Sequence, residues 1–314
     1  MRALACLAAA VLLAAVPALA RAQAAAPEAW SDTQEVTVRA HVAGPAMWRV
    51  QKDGAEVIVI GILPVFPKAQ AWPTKRIENA LKGAHLLITP PSSSASIGDL
   101  FGLMASKNLP QHEDLKTVLP PALYARYQAA AGRAGVSIKP FAHDKPVWAG
   151  ARLRKDILNK IGLSDQEPQD TIVRLAHHAN VPVRASAHYK FSPLLKDVNA
   201  MSLDASEACL GSALDDIDFD FDRAPKAAAA WAIGDLKTVH ANYQGSALLK
   251  CLAGSDQAAA MLDHSVDDGA TAITEALKTP GRSVAVFPLA TLLRKNGVLD
   301  RLGVAGAHIS SPDY

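Results

Sequence analysis

Met47-Trp48-Arg49-Val50 and Val57-Ile58-Val59-Ile60-Gly61-Ile62-Leu63-Pro64 are the stretches on which the fold turns. Both open as β-rich runs, and Lys52-Asp53-Gly54 between them is a turn signal, so together they read as a hairpin. Val57 to Ile60 is β-branched throughout, as in a strand buried on both faces. It runs into Gly61, which lets backbone approach a ligand closely. A ligand-binding or nucleophilic side chain is expected just past such a glycine. Pro64 stands there instead, with no titratable group, no side-chain lone pair and no N–H.

Further β signals lie toward the two ends of the chain. Val36 to Val42 alternates as a first strand would, and Leu86-Leu87-Ile88-Thr89 is a strand stopped by Pro90-Pro91. Ser283 to Phe287 and Val304 to Ile309 supply strands at the other end, and Val181-Pro182-Val183 fits a short edge strand. Between them the periodicity is helical, over Pro120 to Ala134, Lys145 to Ile161, Pro168 to Asn180, Leu195 to Leu214, Pro225 to Val239 and Ser255 to Leu277. Leu289 to Leu302 reads as one more helix. The predicted fold class is α/β: a central mixed sheet formed by strands from both ends of the chain, surrounded by helices, with a helical middle block.

Residues 1–24 read as a signal peptide, with Arg2, an apolar stretch from Ala3 to Val16 and small-residue exits at Ala18-Leu19-Ala20 and Ala22-Gln23-Ala24. The alternative is an uncleaved anchor. Residues 25–35 read as a linker and 36–314 as one α/β domain. Periplasmic or secreted localisation follows, with no membrane span after signal removal. The formal net charge is +2, and loss of Arg2 and Arg21 with the leader would bring it to 0. Such balance, without a basic patch interleaved with aromatics, argues against nucleic acid. Cys209 and Cys251 remain after cleavage, and in an exported chain they are a disulfide candidate; two separate buried thiols are the alternative.

The other clusters have bland readings beside their sharper ones. His112-Glu113-Asp114 reads as a solvated loop. His177-His178 point about 100° apart on a helix, too far to share an ion. Asp263-His264 with Asp267-Asp268 reads as a polar helix face before a metal site. The alternating run Asp215-Asp216-Ile217-Asp218-Phe219-Asp220-Phe221-Asp222 lacks the glycine and the terminal glutamate of a calcium loop, and reads as a solvated connection between helices. Ser92-Ser93-Ser94 reads as a loop. No nucleophile elbow, P-loop or dinucleotide fingerprint is present.

The order of these segments resembles the TraB/GumN family, relatives of the Tiki metalloproteases. The resemblance is carried by Pro45-Ala46-Met47-Trp48-Arg49-Val50, by Val57 to Gly61 and by Ile77 to Leu87. It continues in Lys145-Pro146-Val147-Trp148, Trp231-Ala232-Ile233-Gly234-Asp235-Leu236 and Asn296-Gly297-Val298-Leu299. It implies a divalent metal held by two Gly-x-x-His motifs and a glutamate after the second core strand, with an open position that activates water. Carried onto this chain, the first histidine position holds Pro64, the glutamate falls at about Pro90, and the second motif falls on Phe287-Pro288-Leu289-Ala290, with Ala290 in the histidine position. The family's Leu-Glu maps near Ser186-Ala187 and its Arg-Asn pair near Ser265-Val266.

The resulting expectation is a family scaffold without catalytic residues or cofactor. Its degenerate cleft would involve Gly61, Pro64, Pro90, Phe287 and Ala290 and bind a small molecule or peptide, with an envelope protein as a further candidate partner. The alternative is an active metal-dependent peptidase or hydrolase with relocated ligands, for which His188, just past the middle strand, is the weak metal candidate.

Overall fold

The computed structural model describes residues 44–310, apart from 95, 191 and 255. The leader, the linker and the expected strand from Val36 to Val42 lie outside the described residues. The strands are β1 Met47–Lys52, β2 Ala55–Ile62, β3 Phe66–Pro67, β4 Ala84–Thr89, β5 Ser92–Ser94, β6 Leu163–Ser164, β7 Val183–Ala185, β8 His188–Lys190, β9 Gly281–Pro288 and β10 His308–Ser310. Six of them make one sheet in the order β10-β1-β2-β9-β4-β7. The hairpin β1–β2 is antiparallel and closes where expected, Lys52 facing Ala55. β2, β9, β4 and β7 run parallel to one another.

This order explains the sequence pattern. β2 and β9 are central, so both faces are covered, and Val57, Ile58, Val59, Ile60, Val284, Ala285, Val286 and Phe287 are all fully buried. A doubly covered parallel strand needs a continuous apolar run rather than an alternating one. β1, next to the edge strand β10, is less completely covered: Arg49 is half-buried and Gln51 and Lys52 are exposed. The last strand is shorter than expected. Val304 ends the helix Val298–Val304, and only His308–Ser310 pairs with β1. Among the described residues, no helix is long and apolar enough to cross a membrane.

The helical block lies between β4 and β9 in sequence and has its own apolar cluster, built on Tyr127, Phe141, Leu153, Ile157, Leu210, Leu214 and Ile217. Three expected helices are each broken in two. Ser202 separates Ser192–Ala200 from Leu203–Asp222 and caps the second by accepting from the Ala205 N–H at 3.2 Å. Gly234-Asp235 separates Ala224–Ala232 from Leu236–Ala241. Lys295 to Gly297 separates Leu289–Leu293 from Val298–Val304.

The acidic run is not a connection. It forms the last two turns of the helix Leu203–Asp222. Asp216 and Asp220 are four apart and share the buried face with Ala213 and Ile217. Asp215, Asp218 and Asp222 face outward, where Arg126 reaches Asp215 and Asp218 at 2.7 and 2.9 Å and Arg133 reaches Asp222 at 2.7 Å. Five carboxylates at a helix C-terminus oppose its dipole. Arg126 and Arg133, both on the neighbouring helix Pro121–Ala134, offset that charge.

Cys209 and Cys251 lie at disulfide distance, with Cα atoms 5.4 Å apart. The pair ties the helix Leu203–Asp222 to the short helix Ala247–Leu252.

Candidate functional site

Three adjacent parallel strands end on one edge of the sheet. β2 stops at Ile62, β9 at Pro288 and β4 at Thr89. In helix-covered parallel sheets, ligands bind in the crevice beyond the carboxyl ends of the strands. Pro64, Ala290 and Pro90 are the first or second residues past these three ends, and they line a single cleft of about 320 Å³. Phe287 and Pro288 line it from β9, and Tyr243, Gly245, Ser246, Leu249 and Lys250 form the wall contributed by the segment around the helix Ala247–Leu252. Ser265, Thr291 and Arg294 complete the wall with Pro91. None of these lining residues is a His, Cys, Asp or Glu.

Gly61 does not line the cleft. A Cβ at that position would sit 2.3 Å from Leu289 Cδ2 and 3.0 Å from Trp48 Cζ3. The residue is glycine so that β2 can pack closely against the helix Leu289–Leu293 and β1. Its carbonyl also has a partner, the indole N–H of Trp231, at 2.7 Å in the core. Trp231 is fully buried and meets the rings of Phe66 and Trp72 edge-on, at 5.2 and 5.1 Å between centroids.

The rest of the Trp231-x-x-Gly234-Asp235 segment is local architecture. Gly234 has φ +79°, and a Cβ there would lie 2.9 Å from the Gly44 carbonyl. Asp235 then starts the next helix, its carboxylate accepting from the Thr238 N–H at 3.0 Å. The Thr238 hydroxyl first, and then that N–H, hold the Asp235 carboxyl below its ordinary value. Asp235→Ala is expected to lower stability by about 1 kcal/mol, the usual worth of an N-cap, read as a fall in the urea midpoint with the m-value unchanged.

A second chamber of about 270 Å³ adjoins the first and shares Pro64, Tyr243, Ser246 and Leu249 with it. Asp216, Asp220 and Arg154 line this chamber, with Asp165 as well. Asp216 accepts from the Ser246 hydroxyl at 2.6 Å and from the N–H groups of Ala247 and Leu248 at 2.6 and 3.1 Å. It thereby caps the helix Ala247–Leu252. Arg154 donates through Nε and Nη2 to one oxygen of Asp220, Oδ2, at 3.0 and 2.7 Å. Burial pushes the Asp220 carboxyl up to about 6, Arg154 pulls it down, and Asp216 adds to the rise.

The other sequence candidates lie elsewhere. His188 is exposed on β8, with Nδ1 2.5 Å from the Ser92 hydroxyl. It is not among the residues lining either chamber. Ser92 to Ser94 is a strand, β5, paired with β8, rather than a loop. Ser186 and Ala187 flank Pro90 through backbone bonds to Thr89 and Ser92, while Ser265 is on the cleft wall. Asp267 pairs with Arg301, and Asp268 accepts from the Tyr189 hydroxyl. The side chain of His112 lies outside the described residues. Among the described residues, no group of three or more His, Cys, Asp or Glu is placed to hold a metal.

Sequence reasoning missed Tyr243, Ser246 and Leu249. They are common residue types that reach the cleft through the Cys251 tether and the Asp216 cap. The candidate disulfide was the one available signal that this segment is held against the helical block.

No curated protein and no solved structure matches the chain. The model of the TraB/PrgY/gumN family matches residues 46–311, which include every strand of the central sheet and both chambers. The chain belongs to the TraB/PrgY/gumN family.

Proposed function

We propose that this chain is an exported, non-catalytic member of its family that binds an apolar small molecule or peptide segment in the cleft beyond β2, β9 and β4, acting in the cell envelope. One observation carries the reading. The positions onto which the family resemblance carries metal ligands, Pro64, Pro90 and Ala290, meet in one cleft whose walls, among the described residues, offer no imidazole, carboxylate or thiolate. A divalent metal of the expected kind needs such donors. Proline and alanine side chains supply no lone pairs, so these residues do not fit that metal. What they supply is an apolar concavity close to the size of ordinary ligand sites.

The test uses a neutral fluorophore, prodan, titrated against the protein. Saturable binding with a blue-shifted emission is expected. It should weaken at least tenfold, about 1.4 kcal/mol, in Ala290→Asp and in Leu249→Asp, which place a hydrated carboxylate against the apolar probe. No saturable binding to the wild-type chain sinks the reading. So does a stoichiometric divalent ion that co-purifies with the protein and is lost in His188→Ala.

A further inference from the structure

The two chambers are adjacent and share four lining residues, and their far walls carry opposite charge. In the second chamber Asp216 and Asp220 are 4 % and 5 % exposed, and Asp165 stands beside them at the surface. Only Arg154 opposes them. Asp216 accepts hydrogen bonds from neutral donors, and its Oδ2 lies 4.0 Å from Arg154 Nε, so one guanidinium faces both buried carboxylates. At Asp220 both bonds from Arg154 go to Oδ2. Oδ1 accepts no hydrogen bond among the described residues, and the residue lines the chamber. Oδ1 is not among the fully enclosed unpartnered side-chain atoms, so it is open to the chamber, and a donor that reaches it is worth most when it is charged.

The first chamber has the reverse polarity. Lys250 and Arg294 line it, and among the described residues no carboxylate does. Neither cation makes a side-chain hydrogen bond or ion pair with another described residue. Between the two poles the shared wall is Pro64, Tyr243, Ser246 and Leu249, with the Ser246 hydroxyl turned to Asp216. The cleft is thus a dipole with a mostly apolar middle.

We infer that the ligand is a dipolar molecule: an apolar body that carries an ammonium group at the Asp220 end and an anionic group, a carboxylate in the simplest case, at the Lys250–Arg294 end. This rests on the cleft-binding reading and narrows its ligand class. Charge complementarity sets the orientation, because a reversed ligand would bring ammonium to Lys250 and Arg294 and carboxylate to Asp216 and Asp220. The apolar body supplies the affinity common to every ligand that fits.

A four-ligand cycle tests it. 1-Octanol, octylamine, octanoate and 8-aminooctanoate are each titrated as competitors of prodan at pH 7.5, with the 6- and 12-carbon amino acids as length controls. The amine is expected to bind about tenfold tighter than the alcohol, the carboxylate tighter than the alcohol, and one of the amino acids tightest of all. Asp220→Asn keeps an acceptor for Arg154 and should abolish the amine advantage while leaving the alcohol unchanged. Lys250→Met with Arg294→Met should abolish only the carboxylate advantage. If the alcohol displaces prodan as well as the amino acids do, the dipolar assignment is overturned while the cleft reading stands. An amine advantage without a carboxylate advantage, or one that survives Asp220→Asn, also overturns it. If no ligand of the set displaces prodan, although the fluorophore itself binds saturably, the dipolar assignment fails.

Discussion

Trp231→Ala is expected to lower the unfolding free energy by about 5 kcal/mol. Two effects add. The indole is fully buried between Phe66 and Trp72, and truncating such a ring to alanine costs about 3–5 kcal/mol through lost transfer energy and the cavity left behind. The Gly61 carbonyl, which accepts from the indole N–H at 2.7 Å, would then be buried without a donor, at about 1–3 kcal/mol. Trp231→Phe separates the terms, since it keeps most of the apolar body and loses the N–H. It should cost less than half as much. Ordinary domains hold only about 5–15 kcal/mol in reserve, so the alanine variant should be marginally folded at 25 °C. The measurement is urea unfolding followed by far-ultraviolet circular dichroism. A loss below about 2 kcal/mol for alanine would mean that the indole is not the clamp on the end of β2 described above.

The strands were legible in the sequence for one physical reason. A parallel strand covered on both faces must be apolar at consecutive positions, and Val57 to Ile60 and Val284 to Val286 have few other homes. The hairpin was legible because Asp53-Gly54 is turn chemistry. The helix breaks were harder. Gly234 and Asp235 are a stop and a start side by side, yet the apolar period continues across them, so pattern alone runs the helix through. The acidic run misled in the opposite direction. Its period of two suggested anything but a helix, while the residues that matter, Asp216 and Asp220, sit at helical spacing and owe their burial to Arg154 and to the backbone of Ala247 and Leu248. Those partners are distant in sequence, and nothing in the run itself names them.

The cleft divides the same way. Pro64, Pro90 and Ala290 follow strand ends, so topology alone brings them together once the strands are placed. Gly61 belongs to the same junction, but its glycine serves packing against Leu289 rather than a ligand. The second chamber has no linear signature, because Arg154, Asp220 and Tyr243 come from three separate segments.

Cys251→Ser is expected to remove both stability and binding. The bond it breaks closes a loop spanning 42 residues, for which the chain-entropy model gives at most ~4 kcal/mol. A molecule of this size should lose roughly 10 °C in Tm. The local effect reaches further. Ala247–Leu252 is a helix of six residues, far too short to persist alone. Three anchors hold it: Cys251 to Cys209, the cap made by Asp216 on Ser246, Ala247 and Leu248, and the packing of Leu248 and Leu252 in the cluster of Val147, Val198 and Ala213. The same segment supplies Ser246 and Leu249 to both chambers and Lys250 to one. Removing the covalent anchor leaves only the cap and the small packing contact of Leu248 and Leu252 to keep that wall in place. Prodan affinity should therefore fall at least tenfold at temperatures where circular dichroism still shows a folded chain. Reduction with dithiothreitol should reproduce both losses in the wild type and neither in the variant. Unchanged prodan affinity in a folded Cys251→Ser variant would show that the cap and that packing suffice and that the tether stabilises the fold without shaping the cleft.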